Sequence, residues 1–145
     1  MLSIIETCEE TYDSTNQEIR FPYFNSSRDL EVNCSWKIIA PIDKTIILTF
    51  NIIQMDTSNE CDESFIQVFD GLDTNATQIG KRICGSSNLE SIESIGRDMY
   101  VAYYSMTAST TDKFRIGVNI PGIIPYLNFS NIRENWRYNV IQLSK

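Results

Sequence analysis

The side chains able to do chemistry in this chain are cysteines, serines and carboxylates, because it has no histidine. A serine or cysteine nucleophile needs a neighbouring base, usually imidazole, and that partner is absent. Asp62 and Glu63 form a carboxylate pair of the kind glycoside hydrolysis uses across a cleft, but adjacent residues on a strand point to opposite faces and do not converge. There is no Gly-x-Ser-x-Gly elbow and no glycine-rich phosphate loop leading into a helix. The expectation is a protein that is not an enzyme and needs no cofactor. The four cysteines, Cys8, Cys34, Cys61 and Cys84, are dispersed, and no Cys-x-x-Cys is present to suggest zinc. Two structural disulfides remain as the reading. Four cysteines admit three pairings, and their spacing does not choose among them.

A second chemistry is modification. Asn25-Ser26-Ser27, Asn33-Cys34-Ser35, Asn75-Ala76-Thr77 and Asn128-Phe129-Ser130 all fit the N-glycosylation acceptor pattern. With the disulfides they point to a secreted, extracellular glycoprotein. The net charge of −7 argues against a nucleic-acid partner, since phosphate binding is driven by Lys and Arg. No apolar run reaches the length of a membrane span. Met1 to Ile5 is too short for the core of a signal peptide, so a secreted protein would be represented here from after its signal, or as a piece of a longer chain.

These residues must be positioned by short strands. Phe65 to Phe69 alternates, Ile66 and Val68 on one face and Phe65, Gln67 and Phe69 on the other, and stops at a predicted Asp70-Gly71 turn with positive φ. Residues 1 to 20 read as loop or irregular edge strand. Cys34 to Ile38 alternates with Trp36 and Ile38 on one face, Thr45 to Phe50 places Ile46, Leu48 and Phe50 inward, and a short strand is expected around Ile92 to Ile95. Met99 to Ser105 alternates again, Ser105 to Thr111 reads as a hairpin loop, and Phe114, Ile116 and Val118 close the pattern. The fold class is all-β, a β-sandwich of two antiparallel sheets with two disulfides, over residues 1–120.

Residues 121–145 read as a separate tail or linker, opened by Pro121-Gly122 and Pro125. Phe129, Ile132, Trp136, Val140 and Leu143 are spaced for one side of a helix, though Asn131, Asn135 and Asn139 leave an extended segment open. So many large apolar residues predict docking on a neighbouring domain, a copy of the chain or the sandwich itself, with Trp136 as anchor.

The order Cys8, Cys34-x-Trp36, Cys61, Asp70-Gly71, Cys84-Gly85 and the Tyr103-x-Ser105 to Phe114 stretch resembles the CUB domain family over about residues 8 to 118. The resemblance implies a jelly-roll-like sandwich with Cys8 paired to Cys34 and Cys61 paired to Cys84. Many members of that family bind calcium through three acidic side chains, at positions that correspond here to Asp56, Ser64 and Met106. Two of the three charged ligands are missing, so the expectation is a degenerate position with no metal; Glu60, Asp62, Glu63 and Asp112 lie near it in sequence. The family is chiefly one of recognition and adhesion modules. It implies an extracellular protein partner or neighbouring domains, within a larger secreted or cell-surface assembly, with glycan binding as the alternative. Tyr23 and Phe24, grouped on a loop, join Trp136 as interaction candidates; Tyr100, Tyr103 and Tyr104 read as core or half-buried strand residues.

Overall fold

The computed structural model describes residues 5–21, 31–55, 61–85, 89–106 and 112–122. The strands are β1 (Ile5–Tyr12), β2 (Gln17–Phe21), β3 (Glu31–Ile39), β4 (Ile47–Gln54), β5 (Ser64–Asp70), β6 (Thr77–Gln78), β7 (Ile92–Glu93), β8 (Asp98–Ser105) and β9 (Lys113–Asn119). One sheet runs β1-β3-β8-β5-β6 and the other β2-β9-β4-β7. Alternation along β3, β8 and β9 sends Val32, Trp36, Ile38, Met99, Val101, Tyr103, Phe114, Ile116 and Val118 into one buried core. Rings from the two sheets meet there: Tyr103 lies 4.6 Å from Phe21 and 5.0 Å from Phe114, and Trp36 meets Phe114 edge-on at 5.9 Å. The protein is an all-β sandwich.

Four details differ from the sequence expectation, each for a local reason. Residues 5–12 form a regular strand, and it pairs parallel to β3, so the larger sheet is mixed. β4 carries a bulge between Phe50 and Ile52 opposite Ile116 and Arg115. The extra residue switches the inward set from Leu48 to Ile53 and leaves Phe50 half-buried at the sandwich margin. β8 and β9 belong to different sheets and so are not paired as a hairpin; residues 107–111 between them lie outside the described residues. Gly71 does not supply a positive φ; a Cβ there would come within 2.5 Å of the Ala76 Cβ, so the turn needs glycine for close approach.

The sandwich is closed by polar staples. Ser94 Oγ accepts the Ile46 N–H at 2.8 Å and donates to the Gly96 carbonyl at 2.6 Å. Thr15 Oγ1 accepts the Ile120 N–H at 2.7 Å just after β9. Each satisfies a backbone donor where a strand enters or leaves the core. The cysteines pair Cys8–Cys34, with Cα atoms 4.5 Å apart across β1 and β3, and Cys61–Cys84, at 5.6 Å. These are the pairs the resemblance implied.

Candidate functional site

One end of the sandwich holds a buried carboxylate. Ser64 opens β5, Ser105 lies opposite it at the end of β8, and Asp112 immediately precedes β9. Strand alternation turns Ser64 and Tyr103 toward the interior, and both are buried with Asp112. The Ser64 hydroxyl donates to Asp112 Oδ2 at 2.5 Å and the Tyr103 hydroxyl donates to the same oxygen at 2.7 Å. Burial, and then the Asp112 hydrogen bond, raise the Tyr103 phenol well above its ordinary pKa, because ionising it would place a second negative charge beside the first.

This is where the resemblance places calcium, and the two described positions, Ser64 and Met106, offer that ion no carboxylate. Calcium takes six to eight oxygens with several carboxylates among them. The Ser64 hydroxyl is directed at Asp112, and Met106 is about half exposed with a thioether, its N–H donating to the Glu63 carbonyl at 2.7 Å. Asp56 and Glu60 lie outside the described residues. Asp62 and Glu63 precede β5, so strand alternation does not govern them; exposed Asp62 faces Arg82 at 3.6 Å. Among the described residues, no group of three or more His, Cys, Asp or Glu side chains could hold a metal ion.

A second feature lies along the edges of both sheets. β6 is only two residues long; beyond it the Ile79 N–H donates to the Val68 carbonyl at 2.7 Å, and Ile83 exchanges backbone bonds with Ile66 at 2.8 Å. The chain therefore follows β5 without completing a strand. Facing it are Phe50, displaced by the β4 bulge, and Ile92 of β7. Between them opens a cleft of about 340 Å³, walled by Phe50, Ile79, Ile83, Leu89 and Ile92 and floored by the Cys61–Cys84 bridge. Lys81, Arg82 and Glu90 form its rim. Arg82 is held in place, its guanidinium 3.8 Å above the Phe65 ring and Nη1 donating to the Cys61 carbonyl at 3.4 Å. Sequence reading passed over this cleft, although Lys81-Arg82 between isoleucines in an acidic chain was a usable signal.

The other candidates divide in two. Asn33 is exposed on β3 and Asn75 is exposed in the turn before β6, where its N–H bonds Asp73 Oδ1 at 2.9 Å. Asn25, Asn128, Tyr23, Phe24 and Trp136 lie outside the described residues. No helix among the described residues is long and apolar enough to cross a membrane.

Comparison with known proteins matches these features. Human cubilin is 29% identical over 100 residues, covering 69% of this chain and 3% of cubilin. The exoskeleton protein RP43 of Riftia pachyptila is 31% identical over 96 residues, 66% of this chain and 23% of that protein. The chain thus spans a small part of either relative. Among solved structures, the MASP-1 CUB2 domain bound to Ca2+ superposes with a TM-score of 0.62 at 17% identity, over 76% of this chain and 96% of that one. The CUB domain family profile matches residues 8–117, the span that contains both disulfides and all nine strands but the first three residues of β1 and the last two of β9. With the family's cysteine pairs closed in a two-sheet sandwich, this chain belongs to the CUB domain family.

Proposed function

We propose that the chain is an extracellular protein-recognition and adhesion module of a larger secreted or cell-surface assembly, and that it binds through the cleft beside the Cys61–Cys84 bridge. The carrying observation is the composition of that cleft: five apolar walls with Lys81 and Arg82 at the rim, on a chain of net charge −7. Apolar walls reward an inserted side chain through burial, and the two cations select what stands next to it. The partner is a protein segment presenting an apolar anchor beside a carboxylate. Membership of a family with relatives such as cubilin supports recognition over catalysis. The two disulfides suit an oxidising compartment.

The test is to probe an array of extracellular proteins and a glycan array with the full chain, alongside Lys81→Glu and a Lys37→Glu control on the outer face of β3. Lys37 is exposed and outside the cleft. Protein binding lost at least tenfold in Lys81→Glu and kept in Lys37→Glu is the expected result. Binding confined to glycans would replace this reading with a lectin-like one, and protein binding indifferent to Lys81 would move the site elsewhere.

A further inference from the structure

The larger sheet has an outer face that is unusually aromatic. An antiparallel sheet with one face on the core normally presents polar side chains on the other. Here Phe65 and Tyr104 are paired across β5 and β8 with rings 5.6 Å apart, and Phe69 and Tyr100 are paired two rows away at 6.1 Å. Phe65 is capped by Arg82, whereas Tyr104 is half-buried. The Tyr104 hydroxyl donates to Glu31 Oε1 at 2.6 Å.

Asn33 is the residue directly opposite Tyr104, on β3. Glu31 is two residues before Asn33 on the same strand and so on the same face. Tyr104 and Glu31, joined by that bond, are thus diagonal neighbours on this face, and Asn33 is the residue in register with Tyr104 across the two strands. On the other flank Asn33 is paired with Thr7 of β1, which is small and exposed. Asn33 is therefore exposed, with an aromatic residue as its cross-strand neighbour on one flank and small, exposed Thr7 on the other. Asn33-Cys34-Ser35 is an acceptor triplet, and its central cysteine is turned inward to Cys8.

We propose that Asn33 carries an N-linked glycan whose first N-acetylglucosamine packs on the Tyr104 ring. A pyranose has an apolar face of C–H groups and a polar rim of hydroxyls, so it covers an aromatic ring without burying an unsatisfied polar group. The Glu31 bond fixes the ring before the sugar arrives, which removes the ordering cost of forming the contact. Asn75 has exposure and a sequon but sits in a turn among Asp73, Thr74 and Ala76, with no ring in its own segment. The inference rests on passage through the secretory pathway, and Asn75 serves as the control for that passage.

The experiment uses the full chain secreted by a eukaryotic cell. Glycopeptide mass spectrometry at Asn33 and Asn75 reads occupancy, and thermal melting before and after enzymatic trimming reads the packing. Occupied Asn33 with a melting temperature lowered by about 2–4 °C in Asn33→Gln supports the proposal, on the scale of one modest contact in a domain of this size. Tyr104→Phe keeps the ring but loses the Glu31 bond, so it retains a smaller glycan-dependent shift, and Tyr104→Ala abolishes it. Should Tyr104→Ala fail to fold, proton NMR of the parent and Tyr104→Phe supplies the readout: upfield ring-current shifts of the first sugar's protons in both support packing, and their absence overturns it. Asn75 occupied with Asn33 bare overturns the proposal alone. Both bare overturns it as well and leaves the secretory reading standing. Occupied Asn33 with no change in melting on Asn33→Gln overturns the packing.

Discussion

Replacing Tyr103 by Phe tests the buried cluster at the end of the sandwich. The substitution keeps the ring, and with it the contacts to Phe21 and Phe114, and removes one hydroxyl that donates to Asp112 Oδ2 at 2.7 Å. A hydrogen bond to a charged acceptor contributes about 1.5–3 kcal/mol, so Tyr103→Phe should lower stability by that amount and the melting temperature by about 4–10 °C. Ser64→Ala, which removes the other donor to the same oxygen, should cost a similar amount. The two effects are coupled. After either single change Oδ2 keeps one of these two donors, and because both bonds end on one oxygen the coupling should be about 0.5–3 kcal/mol. Urea unfolding followed by circular dichroism measures all four corners of the cycle, with an unchanged urea dependence confirming that the two end states are the same. Asp112→Asn should fall between parent and Asp112→Ala, since it keeps an acceptor without the charge. A Tyr103→Phe cost below about 0.5 kcal/mol, or a strictly additive cycle, would refute the reasoning. Millimolar calcium should raise the melting temperature of none of these proteins; a calcium-dependent rise in the parent would show that other oxygens complete a site.

Three further outcomes follow from named contacts. Tyr103 is held protonated well above the ordinary tyrosine value of 10, so the folded state retains a proton that the unfolded chain releases first. The stability tied to that proton is intact below pH 10 and declines as pH rises above it; alkaline melting curves should fall more steeply for the parent than for Tyr103→Phe. Gly71→Ala should destabilise by about 1–3 kcal/mol, as its new methyl meets the Ala76 Cβ, and Gly71→Ala combined with Ala76→Gly should recover part of that in the same unfolding assay. The apolar tail containing Trp136 is expected to dock, so in Trp36→Phe, which leaves one reporter, Trp136 emission should be blue-shifted and shielded from quencher in the assembled protein; a fully quenchable, solvent-exposed maximum would exclude docking.

The strands whose side chains alternate against one buried face were legible along the chain. Cys34 to Ile38, Ile66 with Val68, and Phe114 to Val118 are visible because a period of two leaves its mark along the chain. The cysteine, Cys-x-Trp and Cys-Gly order carried the family and, through it, the disulfide pairs. Features that depend on residues far apart meeting are visible in the fold alone. The parallel pairing of β1 with β3 leaves no local trace, because strand direction is set by the path of the connection and not by side-chain pattern. The bulge in β4 moves Phe50 from the expected core to the cleft, and a one-residue insertion is invisible without its partner strand. Ser64 and Asp112, 48 residues apart, read separately as a lost calcium ligand and a nearby acid; brought together they make a hydrogen-bonded pair. Asn33 and Tyr104 are 71 positions apart in the chain and adjacent in the sheet, because register is fixed by the whole core that Trp36, Val101 and their neighbours fill together.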